Sequence, residues 1–225
     1  MIYLIKHIHL FSVLFLLSCA AIGPPSGGRI DKDGPSLLSI DPKPNTILSN
    51  DKKIIFEFDE LIDPISVPNS IKINSNIKYK IKILGRKIVL KPDKYWPNND
   101  LIKITISRKI KDYQKNKMGK PINIIYSTGD IIPGGGINGK IFSYSDKQNP
   151  QVFNKEKLIE IGLYSWPVSD TSDYIQKVEV DNSGFFQFNG LYPGEYTLAG
   201  VEGILNDFNS QIKKKPYTQL TDNFI

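Results

Sequence analysis

Lys78-Tyr79-Lys80-Ile81-Lys82-Ile83 alternates charged and apolar or aromatic residues at every step. Successive side chains of an extended chain point to opposite faces, so Tyr79, Ile81 and Ile83 share one face and the three lysines the other. That pattern predicts a half-buried β-strand. Gly85-Arg86 follows as a turn, and Lys87-Ile88-Val89-Leu90-Lys91 returns as a second strand. Similar runs lie on either side. Ile102, Ile104 and Ile106 alternate with Lys103 and Thr105, and Lys53-Ile54-Ile55-Phe56-Glu57-Phe58 has an apolar centre. Short strands punctuated by Gly, Pro, Asn and Asp turns predict antiparallel sandwiches, and no segment offers a convincing amphipathic helix. The expected fold class is therefore all-β.

Punctuation and charge divide the chain. Asp130-Ile131-Ile132-Pro133-Gly134-Gly135-Gly136 reads as a linker, on the expectation that a proline and three glycines cannot sit inside a core strand. Residues 29–130 hold 20 Lys and Arg against 12 Asp and Glu, whereas residues 131–225 hold 8 against 11, within a whole-chain charge of +6. The excess is lysine, with Arg only at 29, 86 and 108, and Ile and Asn are also frequent. Such a composition reads as the codon bias of an AT-rich genome. Phosphate recognition favours Arg forks, and no nucleic-acid module signature is present.

The N-terminal stretch Leu10-Phe11-Ser12-Val13-Leu14-Phe15-Leu16-Leu17-Ser18-Cys19 has the features of an export signal. Lys6 precedes an apolar core of about eight residues, and Ser18 supplies the small residue at the cut. The run is too short to span a bilayer. Leu16-Leu17-Ser18-Cys19 resembles the bacterial lipobox. The resemblance implies that residues 1–18 are a lipoprotein signal peptide, that the Cys19 thiol takes diacylglycerol, and that its freed amine is acylated too. At about 0.8 kcal/mol per buried methylene, two or three chains anchor far more firmly than one myristoyl group. Ala20 stands where an Asp signals inner-membrane retention, which implies transfer to the outer membrane. Residues 19–33, rich in Gly, Pro and Ser, then read as a flexible tether.

Cleavage at Cys19 has a chemical consequence. His7 and His9, the two histidines of the 225-residue sequence, leave with the signal, and acylation occupies its single cysteine. Histidine acid–base chemistry, zinc sites built from His and Cys, and Ser or Cys nucleophiles that depend on a His base are excluded. Carboxylate chemistry, Ser/Lys arrangements and oxygen-ligand metals such as calcium remain. No cofactor is expected, and no disulfide supports the fold.

Two further resemblances concern architecture. Gly34-Pro35-Ser36-Leu37-Leu38-Ser39-Ile40-Asp41-Pro42-Lys43-Pro44-Asn45, then Ile55-Phe56-Glu57-Phe58-Asp59-Glu60 with Ile62-Asp63, resembles the bacterial Ig-like domains known from S-layer proteins of the SbsA type. Trp96-Pro97-Asn98-Asn99 and Tyr126-Ser127-Thr128-Gly129 match its later landmarks, while Asp112-Tyr113-Gln114-Lys115-Asn116 replaces its usual Asp and Gly-Asn turn. The resemblance covers residues 34–130 and implies a spacer or surface module. Val178-Glu179-Val180-Asp181-Asn182-Ser183-Gly184-Phe185-Phe186-Gln187-Phe188, followed by Leu191-Tyr192-Pro193-Gly194-Glu195-Tyr196, resembles the carboxypeptidase regulatory-like, transthyretin-like sandwich. The expected organisation is a signal peptide (1–18), a tether (19–33), an Ig-like sandwich (34–130), a Pro/Gly linker (131–136) and a transthyretin-like sandwich (137–225).

Few residues invite a sharper functional reading. Asp59, Glu60 and Asp63 are weak calcium candidates, because they lack the alternating loop and distal Glu of an EF-type site. Asp181-Asn182-Ser183-Gly184 reads as a hairpin in preference to a calcium loop. Lys78, Lys80, Lys82, Lys87 and Lys91 form a basic face that could hold acidic polysaccharide, although exposed lysines also keep strand edges apart. Trp96 and Trp166, each before a proline, could stack on sugars, although loop aromatics more often cover a core end. Lys213-Lys214-Lys215 reads as solvated. The sequence therefore points to a non-catalytic, membrane-anchored envelope lipoprotein held by lipid on Cys19, working as a structural, adhesion or protein-interaction module. A glycan-binding surface lipoprotein is the alternative. The expected partner is an envelope protein or glycan, and not nucleic acid.

Overall fold

A computed structural model describes residues 28, 30–73, 77–146, 149–151, 157–206, 208–214 and 217–219. The signal peptide, Cys19 and most of the tether lie outside the described residues. Asp33–Ile225 is one compact unit, and the regular structure of the described residues is almost entirely antiparallel strand.

The first sandwich has two sheets. One has strand order β1-β2-β5-β4, from β1 (Leu37–Asp41), β2 (Ile54–Phe58), β4 (Tyr79–Leu84) and β5 (Lys87–Pro92); the other is β3-β6-β7, from β3 (Ile71–Ile73), β6 (Leu101–Ile106) and β7 (Ile122–Ser127). The alternating lysine stretch becomes β4. Leu84 pairs with Lys87 across a two-residue turn in which Gly85 has φ +62°, a conformation that costs a residue with a Cβ. Ile54, Phe56, Phe58, Ile88 and Leu90 of one sheet meet Ile71, Ile102, Ile104, Ile106, Ile122, Ile124 and Tyr126 of the other in one buried cluster. Burial of that apolar area is the main driving force for this half. Beyond β1 the chain crosses to run beside β7, and the Tyr126 hydroxyl holds the crossing by donating to the Pro42 carbonyl at 2.6 Å. The departing segment 112–116 forms a tight loop. Asp112 Oδ1 accepts from the Asn116 amide at 2.7 Å, and Lys115 takes the positive φ of +73° that the missing glycine would have supplied.

In the second half, β8 (Gly135–Lys140) pairs with β13 (Phe185–Leu191), and β12 (Gln176–Glu179), β11 (Ile159–Ser165), β14 (Tyr196–Glu202) and β15 (Tyr217–Gln219) form a sheet in that order. A short pair, β9 (Ser143–Asp146) and β10 (Asn149–Gln151), is separate. Ile161, Leu163, Val178, Val180 and Leu198 pack on Phe186, Phe188 and Leu191 between the two larger sheets. The far face of the sheet is also covered. Tyr164, Val201, Leu205 and Phe208 cluster there, with Phe208 on the four-residue helix α1 (Phe208–Gln211). β11 is thus buried on both faces at Glu160 to Tyr164.

β8 begins inside the glycine run assigned from sequence to the linker. The physical reason is a close approach: a Cβ on Gly135 would lie 2.5 Å from the Leu191 carbonyl oxygen, beside the register shift between Asn189 and Leu191. Glycine is what allows the backbones to meet there.

Candidate functional site

Trp96 is 1% exposed, and its indole Nε1 donates to the Lys52 carbonyl at 2.8 Å. With no open ring face, Trp96 closes the end of the first core, so the stacking expectation for it is corrected. Trp166 is 46% exposed and edges a groove of about 190 Å3 with Tyr164, Val168 and Phe208. Only the second tryptophan is placed to touch a ligand.

The lysine face is real as geometry. Lys80 lies opposite Lys91 and Lys82 opposite Val89, with Lys78, Lys80, Lys82, Lys87 and Lys91 all exposed. Part of its charge is neutralised within the fold. Lys80 pairs with Asp93 at 2.6 Å, holding that carboxyl below its ordinary range, and Lys87 pairs with Glu57 at 3.3 Å. Exposed pairs of this kind contribute little to stability, so their effect here is on the surface potential.

The acidic trio is dispersed in role. Asp59 Oδ1 accepts from the Ser36 amide at 2.8 Å, tying β1 to the end of β2. Asp63 is buried, accepts from the Ile65 amide at the start of a 3-10 turn (Pro64–Ser66), and pairs with Lys115 at 2.7 Å. The hydrogen bond from Lys115 is the chief cause of an Asp63 pKa below its ordinary value, with burial opposing it. Glu60 is half-buried and also holds a partner. Asp59, Glu60 and Asp63 do not form a joint ligand set among the described residues. In the later hairpin Asp181 Oδ1 accepts from Ser183 N, Ser183 Oγ and Phe185 N at 2.7–2.9 Å, and Gly184 has φ +87°. That carboxylate oxygen is committed to shaping the turn.

The most developed polar constellation lies where the two halves meet. Glu179 at the end of β12 is 4% exposed and Arg108, after β6, is 7% exposed. Arg108 Nε donates to Glu179 Oε1 at 2.9 Å; the Ser107 hydroxyl and the Arg108 amide donate to Oε2 at 2.5 and 3.2 Å. A second guanidinium nitrogen donates to the Lys157 carbonyl at 3.0 Å. Charge-assisted bonds to both carboxylate oxygens define the orientation of the two halves in a way that apolar contact cannot. Around the pair, Gly190 of β13 packs on Ile125 of β7, and the Asn182 amide donates to the Gly119 carbonyl at 3.1 Å. Ile125 faces away from the first core, yet this contact leaves it 2% exposed.

A cleft of about 330 Å3 opens beside this seam. One wall comes from β3 and β6, with Lys72, Lys103 and Thr105; the other is Tyr174–Glu179 together with Glu160. Glu160 Oε2 accepts from the Leu205 amide at 2.8 Å and from Lys177 at 2.9 Å, and Lys177 also donates to the Leu205 carbonyl at 2.6 Å. Lys103 donates to Gln176 Oε1 at 3.1 Å, and burial lowers its pKa. Sequence reading missed this site. Its one local signal is Arg108, a rare arginine in a lysine-rich chain, whereas Glu179 reads as a solvent-facing position of an alternating strand.

Residues 31–128 match the bacterial Ig-like domain family, and the chain carries such a domain there. Among solved structures, the N-terminal part of the bacterial S-layer protein SbsC aligns at 9% identity over 84% of this chain and 44% of its own, with a TM-score of 0.31. The LD transpeptidase LdtMt1 aligns at 17% identity over 44% of this chain and 42% of its own, TM-score 0.31. Alpha-2-macroglobulin from Escherichia coli aligns at 15% identity, 87% and 72% coverage, TM-score 0.33. The chain thus spans less than half the length of the SbsC and LdtMt1 chains. No curated protein matches the sequence.

Proposed function

We propose that the chain is an outer-membrane lipoprotein, anchored through acylated Cys19, that works by position and contact without turnover. In this reading the Ig-like domain spaces the second half from the membrane, and the second half, a carboxypeptidase regulatory-like, transthyretin-like sandwich, presents a surface to an envelope partner. The observation that carries it is the buried Arg108–Glu179 pair. A hydrogen-bonded ionic lock between two sandwiches serves a presenter, whose binding surface must keep a fixed attitude to its anchor. The Asp181 turn and the two sheets packed through Phe186 and Phe188 support the transthyretin-like assignment.

Protease treatment of intact cells tests the reading, with Cys19→Ala as the unanchored form and a periplasmic protein as the integrity control. Membrane retention of the natural chain and release of Cys19→Ala are expected. Digestion on intact cells then favours a surface adhesin, and protection until the envelope is broken favours a periplasmic scaffold. Identical fractionation of the two forms would overturn the anchoring. Glycan capture is a second reading, favoured by the half-exposed Trp166 at its groove. Titration with envelope glycans tests it, and binding unchanged in Trp166→Ala would remove that residue from it.

A further inference from the structure

The 330 Å3 cleft lies at the lower end of the size range of ligand pockets, about 300–1,000 Å3. Six consecutive residues, Tyr174–Glu179, form one of its walls. Alternate side chains of a strand point to opposite faces, so a wall of consecutive residues means that the backbone edge itself faces the space. β12 is the terminal strand of its sheet and pairs only with β11 among the described residues. A sheet edge of this kind is a template for another extended segment.

The charge around that edge is uneven. Lys72, Lys103, Lys109 and Lys177 line the cleft against Glu160 and Glu179. Both carboxylates already serve cations of the fold, Glu179 with Arg108 at 2.9 Å and Glu160 with Lys177 at 2.9 Å and, more loosely, with Lys72 at 4.0 Å, while Lys103 and Lys109 also line the space. The cleft is therefore net positive. Burial disfavours the charged form of Lys103, and a carboxylate beside it would offset that penalty.

We propose that this cleft captures an extended acidic peptide segment of a partner protein, added as a strand beside β12 with its carboxylates toward Lys72, Lys103 and Lys109. The lysines select for charge, while the backbone edge supplies sequence-independent hydrogen bonds. This inference does not depend on where the chain is anchored.

The test is fluorescence anisotropy with the full chain and a labelled short peptide alternating valine with aspartate or glutamate. Its Asn/Gln analogue, two forms N-methylated at the odd or at the even amides, and trigalacturonate as competitor complete the set. Saturable binding of the acidic peptide is expected, about tenfold weaker for the neutral analogue and for Lys103→Met, and lost on N-methylation in the paired register. Lys82→Met, on the remote lysine face, leaves it unchanged. Equal binding of the neutral or both N-methylated registers, displacement by trigalacturonate at lower concentration than by unlabelled peptide, or no binding at millimolar peptide overturns the proposal. Lys103→Met is checked by its thermal melt; if it does not fold, the exposed Lys109→Met decides, and affinity equal to the natural chain's counts against the proposal.

Discussion

Removing the Glu179 carboxylate with Glu179→Ala leaves Arg108, 7% exposed, without its ionic partner at 2.9 Å, and deprives the Ser107 hydroxyl and the Arg108 amide of their acceptor. Breaking one side of a buried ion pair costs about 3–5 kcal/mol, because the remaining charge has lost both water and its partner. At about 2–4 °C per kcal/mol for a unit of this size, the midpoint of thermal unfolding falls by about 6–20 °C. Arg108→Met strands the carboxylate instead and costs a similar amount. Glu179→Leu, Arg108→Met and the double variant close a cycle: the double removes both charges while keeping bulk and recovers most of the loss, so the coupling exceeds the loss in either single variant, at about 4–10 kcal/mol. Scanning calorimetry is the assay. The natural chain should unfold in one transition, and each single variant should melt earlier or separate into two. Single variants within about 0.5 kcal/mol of the natural chain, the range of ordinary surface substitutions, or strictly additive effects would mean that Arg108 and Glu179 do not act as a buried pair.

The tryptophans separate by the same kind of measurement: Trp96→Ala should lose about 3–5 kcal/mol in urea melts as a fully buried ring, and Trp166→Ala less than about 1 kcal/mol. Burial and the nearby Asp41 charge push the Tyr126 hydroxyl well above its ordinary pKa. The unfolded chain releases that proton near pH 10 while the folded chain keeps it, so stability falls as pH rises beyond about 10, and Tyr126→Phe removes this component in melts across that range. On the acid side, Asp63 is held below its ordinary value chiefly by the Lys115 hydrogen bond. Its contribution is present above pH of about 4 and is lost as pH falls through the lower folded value, and Lys115→Met should flatten that part of an acid titration of stability.

Periodicity made the core legible. Tyr79, Ile81 and Ile83 pack against the first core while Lys80 and Lys82 stay exposed, and the Gly85-Arg86 turn sits between paired strands as its residues dictate. Local pattern failed where tertiary contact decides. Gly135 and Gly136 look like a break but extend β8, because the opposing backbone at Leu191 needs the space. The helix α1 is four residues long and anchored through Phe208, too short to show a period. Trp96, in a Trp-Pro-Asn-Asn loop, covers the core end as loop aromatics more often do, but its N–H partner, the Lys52 carbonyl, is 44 positions away and has no local signal. The seam and cleft were least legible of all. Arg108 and Glu179 are 71 positions apart, and nothing in either local run tells an outward polar residue that water will be excluded from it.

The proposed lipid anchor at Cys19 is read out by the intact mass of the membrane-extracted protein. A mature chain beginning at Cys19 and heavier than its polypeptide by two or three acyl chains on a glycerol thioether is expected, a form that Cys19→Ala cannot produce. A membrane-extracted chain that retains residues 1–18, or one that begins elsewhere with no added lipid, would contradict it.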